Sequence, residues 1–261
     1  MAEVVVALRA VDASAPEPGF LQIARQLRHE IRSGAYPPGS KLPSETELTR
    51  AFGVARMTVR GGIAELRSEG LIVSEQGKGV FVRPRPPVRR LASDRFARRH
   101  RDAGQAAFLA EASQVGATPA VDQVQVTSGR PPDSVAGLLG GVTDVVVRSR
   151  RYLLDGQPVE TAVSYIPKAI AAGTKIADDD TGPGGIYARL EELGHRLDHF
   201  VEEVAARMPT QEERFRLQLP AGVPVVTVLR TAYDVHDVPV EVCDTVKSSQ
   251  SYILEYRVDA T

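Results

Sequence analysis

The sequence predicts an α+β chain of two domains, with three short helices and a hairpin at the N-terminal end and a largely antiparallel sheet with helices after them. Three observations predict it. At 261 residues with 43% hydrophobic content, the chain exceeds the roughly 150 residues of one ordinary domain. The charges are segregated: residues 20–101 hold 17 basic and 7 acidic side chains, a net +10, whereas residues 102–261 hold 14 and 23, a net −9. The formal total of −1 conceals these opposed fields, and a basic module of this kind suits an anionic partner. Finally, the hydrophobic period is helical up to Glu69 and strand-like beyond about Phe108.

Several classes are excluded at once. The single cysteine, Cys243, rules out an intramolecular disulfide framework and fits a reducing compartment, so a cytoplasmic location is expected. No apolar run reaches the roughly 20 residues that span a bilayer, so no membrane partner is expected. Residues 1–19 carry no basic segment ahead of their apolar stretch, which argues against a signal peptide and for a flexible leader.

From Phe20 the elements follow in order. Leu21, Ile23, Ala24, Leu27 and Ile31 recur at helical steps, and Ser33-Gly34 stops that helix. Ser44 with Glu47 three residues later fits a capping box opening a short second helix that ends near Phe52-Gly53. A third helix runs from about Ala55 to Glu69, and the pair makes a helix-turn-helix. Val59, Ile63 and Leu66 form its inward stripe, while Arg56, Thr58 and Arg60 sit in its first turns. Two cations there oppose the macrodipole, and Gly61-Gly62 costs about 1 kcal/mol per glycine relative to alanine. Something other than helix stability is therefore expected to select both features. A helix presenting N-terminal arginines can read guanine O6 and N7. Leu71–Val73 and Val80–Val82 then flank a loop as a hairpin, or wing, whose Gly77-Lys78-Gly79 tip suits close approach to phosphate or the minor groove.

Prolines in Arg83-Pro84-Arg85-Pro86-Pro87 exclude regular helix or a central strand. Residues 84–107 are expected to be a semi-rigid linker whose arginines add phosphate contacts. In residues 108–261, strands are predicted over Val121–Val126, Leu197–Ala206 and Tyr252–Val258, with helices after Pro132, over Ile186–Gly194 and after Thr210. Two hairpins turn at Asp155-Gly156 and His236-Asp237. Arg148, Arg150 and Tyr152 alternate on one strand face, as do Glu160 and Ser164 on the next strand. An arginine beside serine and tyrosine can clamp a carboxylate or phosphate, and Glu241 adds an acceptor.

Residues 20–82 resemble the winged helix-turn-helix of GntR-type bacterial transcription regulators. The resemblance rests on Leu42-Pro43-Ser44-Glu45, Leu48, Phe52-Gly53-Val54, Arg56, Thr58-Val59-Arg60, Leu66, Glu69-Gly70-Leu71 and Gly77-Lys78-Gly79-Val80-Phe81-Val82. It implies that Arg56 and Arg60 read or brace on DNA and that Gly77 enters the minor groove; Ser44 and Thr58 are expected to position the arginines, and Thr46 and Lys78 complete the expected DNA-binding set. The family's serine before the first arginine is Ala55 here, its second-helix arginine is Thr46, and its alanine-containing pair after Arg60 is Gly61-Gly62. Residues 120–258 resemble, more loosely, the UTRA effector-binding domain of the HutC subfamily, whose fold is like chorismate lyase. Arg150, Asp155-Gly156-Gln157-Pro158-Val159, Ser164-Tyr165-Ile166-Pro167, Tyr233-Asp234, Pro239-Val240-Glu241 and Tyr252 carry it. That likeness implies a small-molecule effector, several family members taking phosphorylated sugars, with Arg150 and Ser164 on the anionic part and Glu241 on hydroxyl or amine groups. Arg148, Tyr152, Glu160 and Tyr252 complete the expected pocket.

No nucleophile motif and no P-loop lysine is found, and His195 and His199 run into strand, so no catalysis, cofactor or metal is expected. The expected function is a homodimeric repressor on a palindromic operator of double-stranded DNA, released by its effector. A ligand-independent repressor and a chorismate-lyase-like enzyme with a DNA-binding appendage are the competing classes.

Overall fold

A computed structural model describes residues 8–75, 77–83, 88–91, 106–220 and 222–257. The chain divides into two compact units, residues 1–86 with 220–223, and residues 87–219 with 224–261.

The first unit contains α1 (Gly19–Arg32), α2 (Glu45–Phe52) and α3 (Arg56–Ser68), then the hairpin of β1 (Ile72–Glu75) and β2 (Gly79–Val82). The capping box is present: Ser44 Oγ accepts Glu47 N–H, and Glu47 Oε2 accepts Ser44 N–H at 2.7 Å. Gly53, at φ 66°, stops α2 in the left-handed region. Ile23, Leu27, Leu48, Phe52, Val59, Ile63 and Leu66 form one core with Ile72 and Val82 of the wing. The wing pairs Ile72 with Val82 through Glu75 with Gly79. Leu42 N–H also donates to Val80 carbonyl at 2.8 Å, so the segment ahead of α2 closes onto β2.

Two expectations change here. Gly61-Gly62 has a packing reason: a Cβ on Gly62 would stand 2.8 Å from Ile23 Cγ2 and 3.0 Å from the Phe20 carbonyl oxygen. Close passage of α1 over α3 excludes a side chain there. The leader also differs. Residues 8–18 lie on the unit because Gln22, 4% exposed, accepts Asp12 N–H at 3.0 Å and donates to the Asp12 and Glu17 carbonyls, each at 2.9 Å. Leu8 and Val11 pack against the core. Residues 1–7 fall outside the described residues.

The second unit begins with β3 (Val88–Leu91) and α4 (Ala107–Gln114). Its centre is a six-stranded sheet. The strands are β4 (Pro119–Gly129), β5 (Val145–Leu154), β6 (Gln157–Pro167), β7 (Leu197–Arg207), β8 (Val225–Asp234) and β9 (Pro239–Ser248). They stand in the order β4-β5-β6-β9-β8-β7, every neighbour antiparallel. The β5–β6 turn has positive φ at both Asp155 (50°) and Gly156 (77°), the primed geometry that matches strand twist. At the β8–β9 turn, Asp234 Oδ1 accepts His236 and Val238 N–H at 2.9 and 3.1 Å. Helices α5 (Asp133–Leu138), α6 (Lys168–Ala171), α7 (Gly185–Glu192) and α8 (Gln211–Arg216) complete the unit, α8 with its own Thr210/Glu213 capping box.

The expected linker is structured at Val88–Leu91, where β3 pairs in parallel with β10 (Tyr252–Glu255). Pairing far along the chain and burial of Val88 against Phe108, Val159 and Tyr252 override the local proline signal. Residues 84–87 and 92–105, including Arg85, Arg95, Arg98, Arg99 and Arg101, lie outside the described residues.

Candidate nucleic-acid interface and ligand face

In the first unit, the residues expected to meet DNA lie on α2, α3 and the wing. Arg56 and Arg60 open α3 with side chains 65% and 51% exposed, one turn apart on its outer face. Both converge on Glu45. Arg56 Nε donates to Glu45 Oε2 at 2.6 Å, and Arg60 Nε donates to Oε1 and Oε2 at 3.2 and 3.0 Å. The Arg56 hydrogen bond, reinforced by Arg60, holds the Glu45 carboxyl below its usual range. Ala55 caps α3 without a side-chain bond, whereas Ser44 engages Glu47. Thr46 is exposed and Thr58 half-buried beside Gly19. Gly77, at φ 75°, has open space where a Cβ would stand, and Lys78 is exposed at the tip. Two expected phosphate-contacting arginines have other partners. Arg83 Nε donates to the Gly70 carbonyl at 2.6 Å, and in the second unit Arg90 is 1% exposed and ion-paired to Glu202.

In the second unit, paired register sets one face of the sheet. It carries Arg148, Arg150 and Tyr152 opposite Ser164, Ala162 and Glu160. Ser164 stands opposite Cys243 and Glu160 opposite Lys247, while Cys243 stands opposite Arg230, and Arg230 opposite Glu202. An apolar cluster with Val146, Ile176, Leu190 and Ala232 covers one end of this face, and Val88, Phe108, Val159 and Tyr252 cover the other. Polar groups form the strip between.

The seven residues expected in an effector pocket fall into three arrangements. Arg148 is committed to the fold: its Nη atoms donate to the Ile176 and Asp179 carbonyls at 2.7 and 3.0 Å, and to that of Asp178. Burial, then the neighbouring Arg150, pushes its pKa down. Glu160 forms an ion pair with Lys247, both side chains 1% exposed, and Lys247 Nζ lies 4.4 Å over the Tyr252 ring. Because burial without a partner is so costly to these charges, Glu160 and Tyr252 belong to this structural pair. Arg150, Tyr152, Ser164 and Glu241 remain along the strip. Arg150 Nε donates to Tyr152 Oη at 2.6 Å. Burial opposes its charge, but Tyr152, Cys243 and Glu241 raise its pKa above the ordinary arginine value. Ser164 is 0% and Glu241 1% exposed. Ser164 Oγ and Glu241 Oε2 have no hydrogen-bond partner among the described residues.

Two members of this strip, Arg230 and Glu202, had no sequence signal of their own. Arg230 Nε donates to Tyr187 Oη at 2.9 Å, and Arg230 Nη2 stands 4.0 Å from Glu241 Oε2. Glu202 is shared between Arg90 and Arg230, the latter at 3.8 Å. Burial would raise the Glu202 pKa, yet the two arginines hold it below its ordinary value. Residues so far apart in sequence gave no motif, and only strand pairing brings them together. His195 engages Asp234 at 2.9 Å, and His199 stacks on Tyr233 at 4.7 Å between centroids.

Comparison with known proteins agrees with both units. The profile of the bacterial regulatory proteins of the gntR family matches residues 20–82, and that of the UTRA domain matches residues 114–252. An HTH-type transcriptional regulator of Streptomyces coelicolor is 32% identical, over 92% of each chain. The HTH-type transcriptional repressor NagR of Bacillus subtilis is 25% identical, over 95% of this chain and 98% of its own. The crystal structure of PhnF from Mycobacterium smegmatis shares the fold, with a TM-score of 0.59 at 22% identity, over 92% of this chain and all of that one. No helix among the described residues is long and apolar enough to cross a membrane.

Proposed function

The chain belongs to the GntR family of transcriptional regulators, in the HutC-type branch that joins the helix-turn-helix to a UTRA domain, and from that premise we propose a repressor released from its operator by a small effector. In this reading, a cytoplasmic homodimer sets two α3 helices into successive major grooves of a palindromic site. Arg56 and Arg60 donate to guanine, Ser44, Thr46 and Thr58 position them, and Gly77 and Lys78 follow the minor groove. Met57, 72% exposed, offers an apolar contact to a thymine methyl group.

One observation supports the effector most directly. A buried hydroxyl on Ser164 and a buried carboxylate oxygen on Glu241 have no hydrogen-bond partner among the described residues, on the same sheet face as Arg150. Leaving such a group unsatisfied costs about 1–3 kcal/mol, and a ligand bearing an anionic part and a hydroxyl or amine would satisfy both. Arg150 and Tyr152 would meet the anion, and Glu241 with Arg230 and Tyr187 the rest. The effector acts by binding the released state more tightly than the DNA-bound one.

The test uses the full-length protein and a duplex enriched by it from random-sequence DNA. Fluorescence anisotropy at fixed salt, with and without a panel of sugar phosphates, amino acids and acyl metabolites, should find one compound that weakens binding. Ser164→Val should abolish that response while leaving DNA affinity intact. Release that survives Ser164→Val and Glu241→Gln would remove this face from the reading.

A further inference from the structure

We propose that Glu45 sets the selectivity of the reading helix by deciding which nitrogens of Arg56 and Arg60 face the DNA. The inference rests on the DNA-binding reading above and assigns a positioning residue within it. A guanidinium carries five N–H donors, one on Nε and two on each Nη. It can meet guanine O6 and N7 side-on, through Nε and one Nη, or end-on, through both Nη atoms. Glu45 takes the Nε–H of both arginines, at 2.6 Å from Arg56 and 3.0 Å from Arg60. The Nη groups of both meet no protein acceptor among the described residues. The side-on mode is thereby closed and the end-on mode left open, on two arginines already half or more exposed.

The carboxylate itself is held in place. It belongs to the first residue of α2, whose start is fixed by the Ser44/Glu47 capping box, and Glu47 is occupied by that box. Thr46, the next residue, brings no competing charge. An arginine free to swing finds a phosphate as readily as a base, and phosphate contacts carry no sequence information. A fixed carboxylate between the two arginines also repels phosphate. Glu45 thus weakens non-specific binding while preorganising the specific contact, which is selectivity by discrimination against the wrong site.

The experiment compares the full-length protein with Glu45→Gln and Glu45→Ala. Wild-type protein first enriches a duplex from random-sequence DNA. Binding is then titrated at fixed salt on that duplex, on the same duplex with 7-deazaguanine at its half-site guanines, and on a site-free duplex. Both variants should bind the enriched duplex roughly tenfold more weakly, the value of one misplaced bidentate contact. They should bind the site-free duplex more tightly. The 7-deazaguanine penalty seen in the wild type should shrink in both. An unchanged ratio of specific to non-specific affinity would overturn the proposal. So would equal weakening on both duplexes, the mark of a merely structural residue. If the wild type enriches no motif, the DNA-binding reading falls and the role of Glu45 with it. A motif enriched alike by all three proteins sinks Glu45 alone.

Discussion

Gly62→Ala should destabilise the first unit, although alanine is the better helix former. Inside α3 the substitution gains about 1 kcal/mol of helix propensity. Against that, the new methyl group would stand 2.8 Å from Ile23 Cγ2, 3.0 Å from Ile23 Cβ and 3.0 Å from the Phe20 carbonyl oxygen. Ile23 is fully buried, and the carbonyl belongs to the first turn of α1, so neither can give way without moving the helix. Overpacking of this kind costs about 1–3 kcal/mol. The steric cost exceeds the propensity gain by about 1 kcal/mol, which is ~4–8 °C in Tm for a unit of this size. Gly61→Ala is the control. The three atoms nearest its Cβ belong to the Phe20 side chain, with Phe20 Cβ at 3.0 Å and Cγ at 3.3 Å; easing that contact takes a shift of a few tenths of an ångström in α1, which the propensity gain of about 1 kcal/mol offsets, so stability should hardly change. Amide hydrogen exchange across α1 and α3 in the full chain reads the local stability directly. Protection that rises in Gly62→Ala would refute the close-packing account of the glycine pair.

Three further outcomes are expected. Lys247→Met should cost about 3–5 kcal/mol by leaving Glu160 buried without its partner, while Glu160→Leu combined with Lys247→Met should recover most of it; urea denaturation of the second unit measures both. Gln22→Leu removes three hydrogen bonds that hold residues 8–18, each worth about 0.5–1.5 kcal/mol, so limited proteolysis should cut that segment faster than in the wild type. Burial opposes the Glu202 charge, but Arg90 and Arg230 hold its folded pKa below the ordinary glutamate value. Its stabilisation is therefore present above that value and lost as pH falls through the folded one. The difference in Tm between wild type and Glu202→Gln should shrink on acidification below about pH 4.5, and a constant difference would argue against the shared ion pair.

Local signals were legible where the chain specifies itself over a few residues. Ser44/Glu47, Thr210/Glu213 and Asp155-Gly156 act within one turn, and each forms the cap or turn its spacing predicts. Arg56 and Arg60 were readable because helical spacing alone puts them on one face. Non-local pairing was not legible. Val88–Leu91 follows prolines and arginines that signal a linker, and only its partner near the C-terminal end makes it a strand. Arg90 and Arg230 look like any surface arginine until pairing brings Glu202 to both. The same limit applied to the ligand face. Register put Arg148 and Glu160 beside Arg150 and Ser164, but sequence could not foresee that the 176–179 backbone and Lys247 already occupy them.

The pairing of β3 with β10 bears on where the second unit can be cut free. The UTRA match begins at residue 114, which invites a fragment starting there. Such a fragment would lack Val88 and Phe108, two of the four buried side chains in the cluster that includes Val159 and Tyr252. It would also lack Arg90 and leave Glu202 without its short-range cation, while β10 lost its neighbour. An autonomous fragment therefore has to start at or before Val88, some 26 residues ahead of the recognisable domain. Val88–Leu91 looks like a tether in sequence, but it closes the buried cluster that Phe108, Val159 and Tyr252 share.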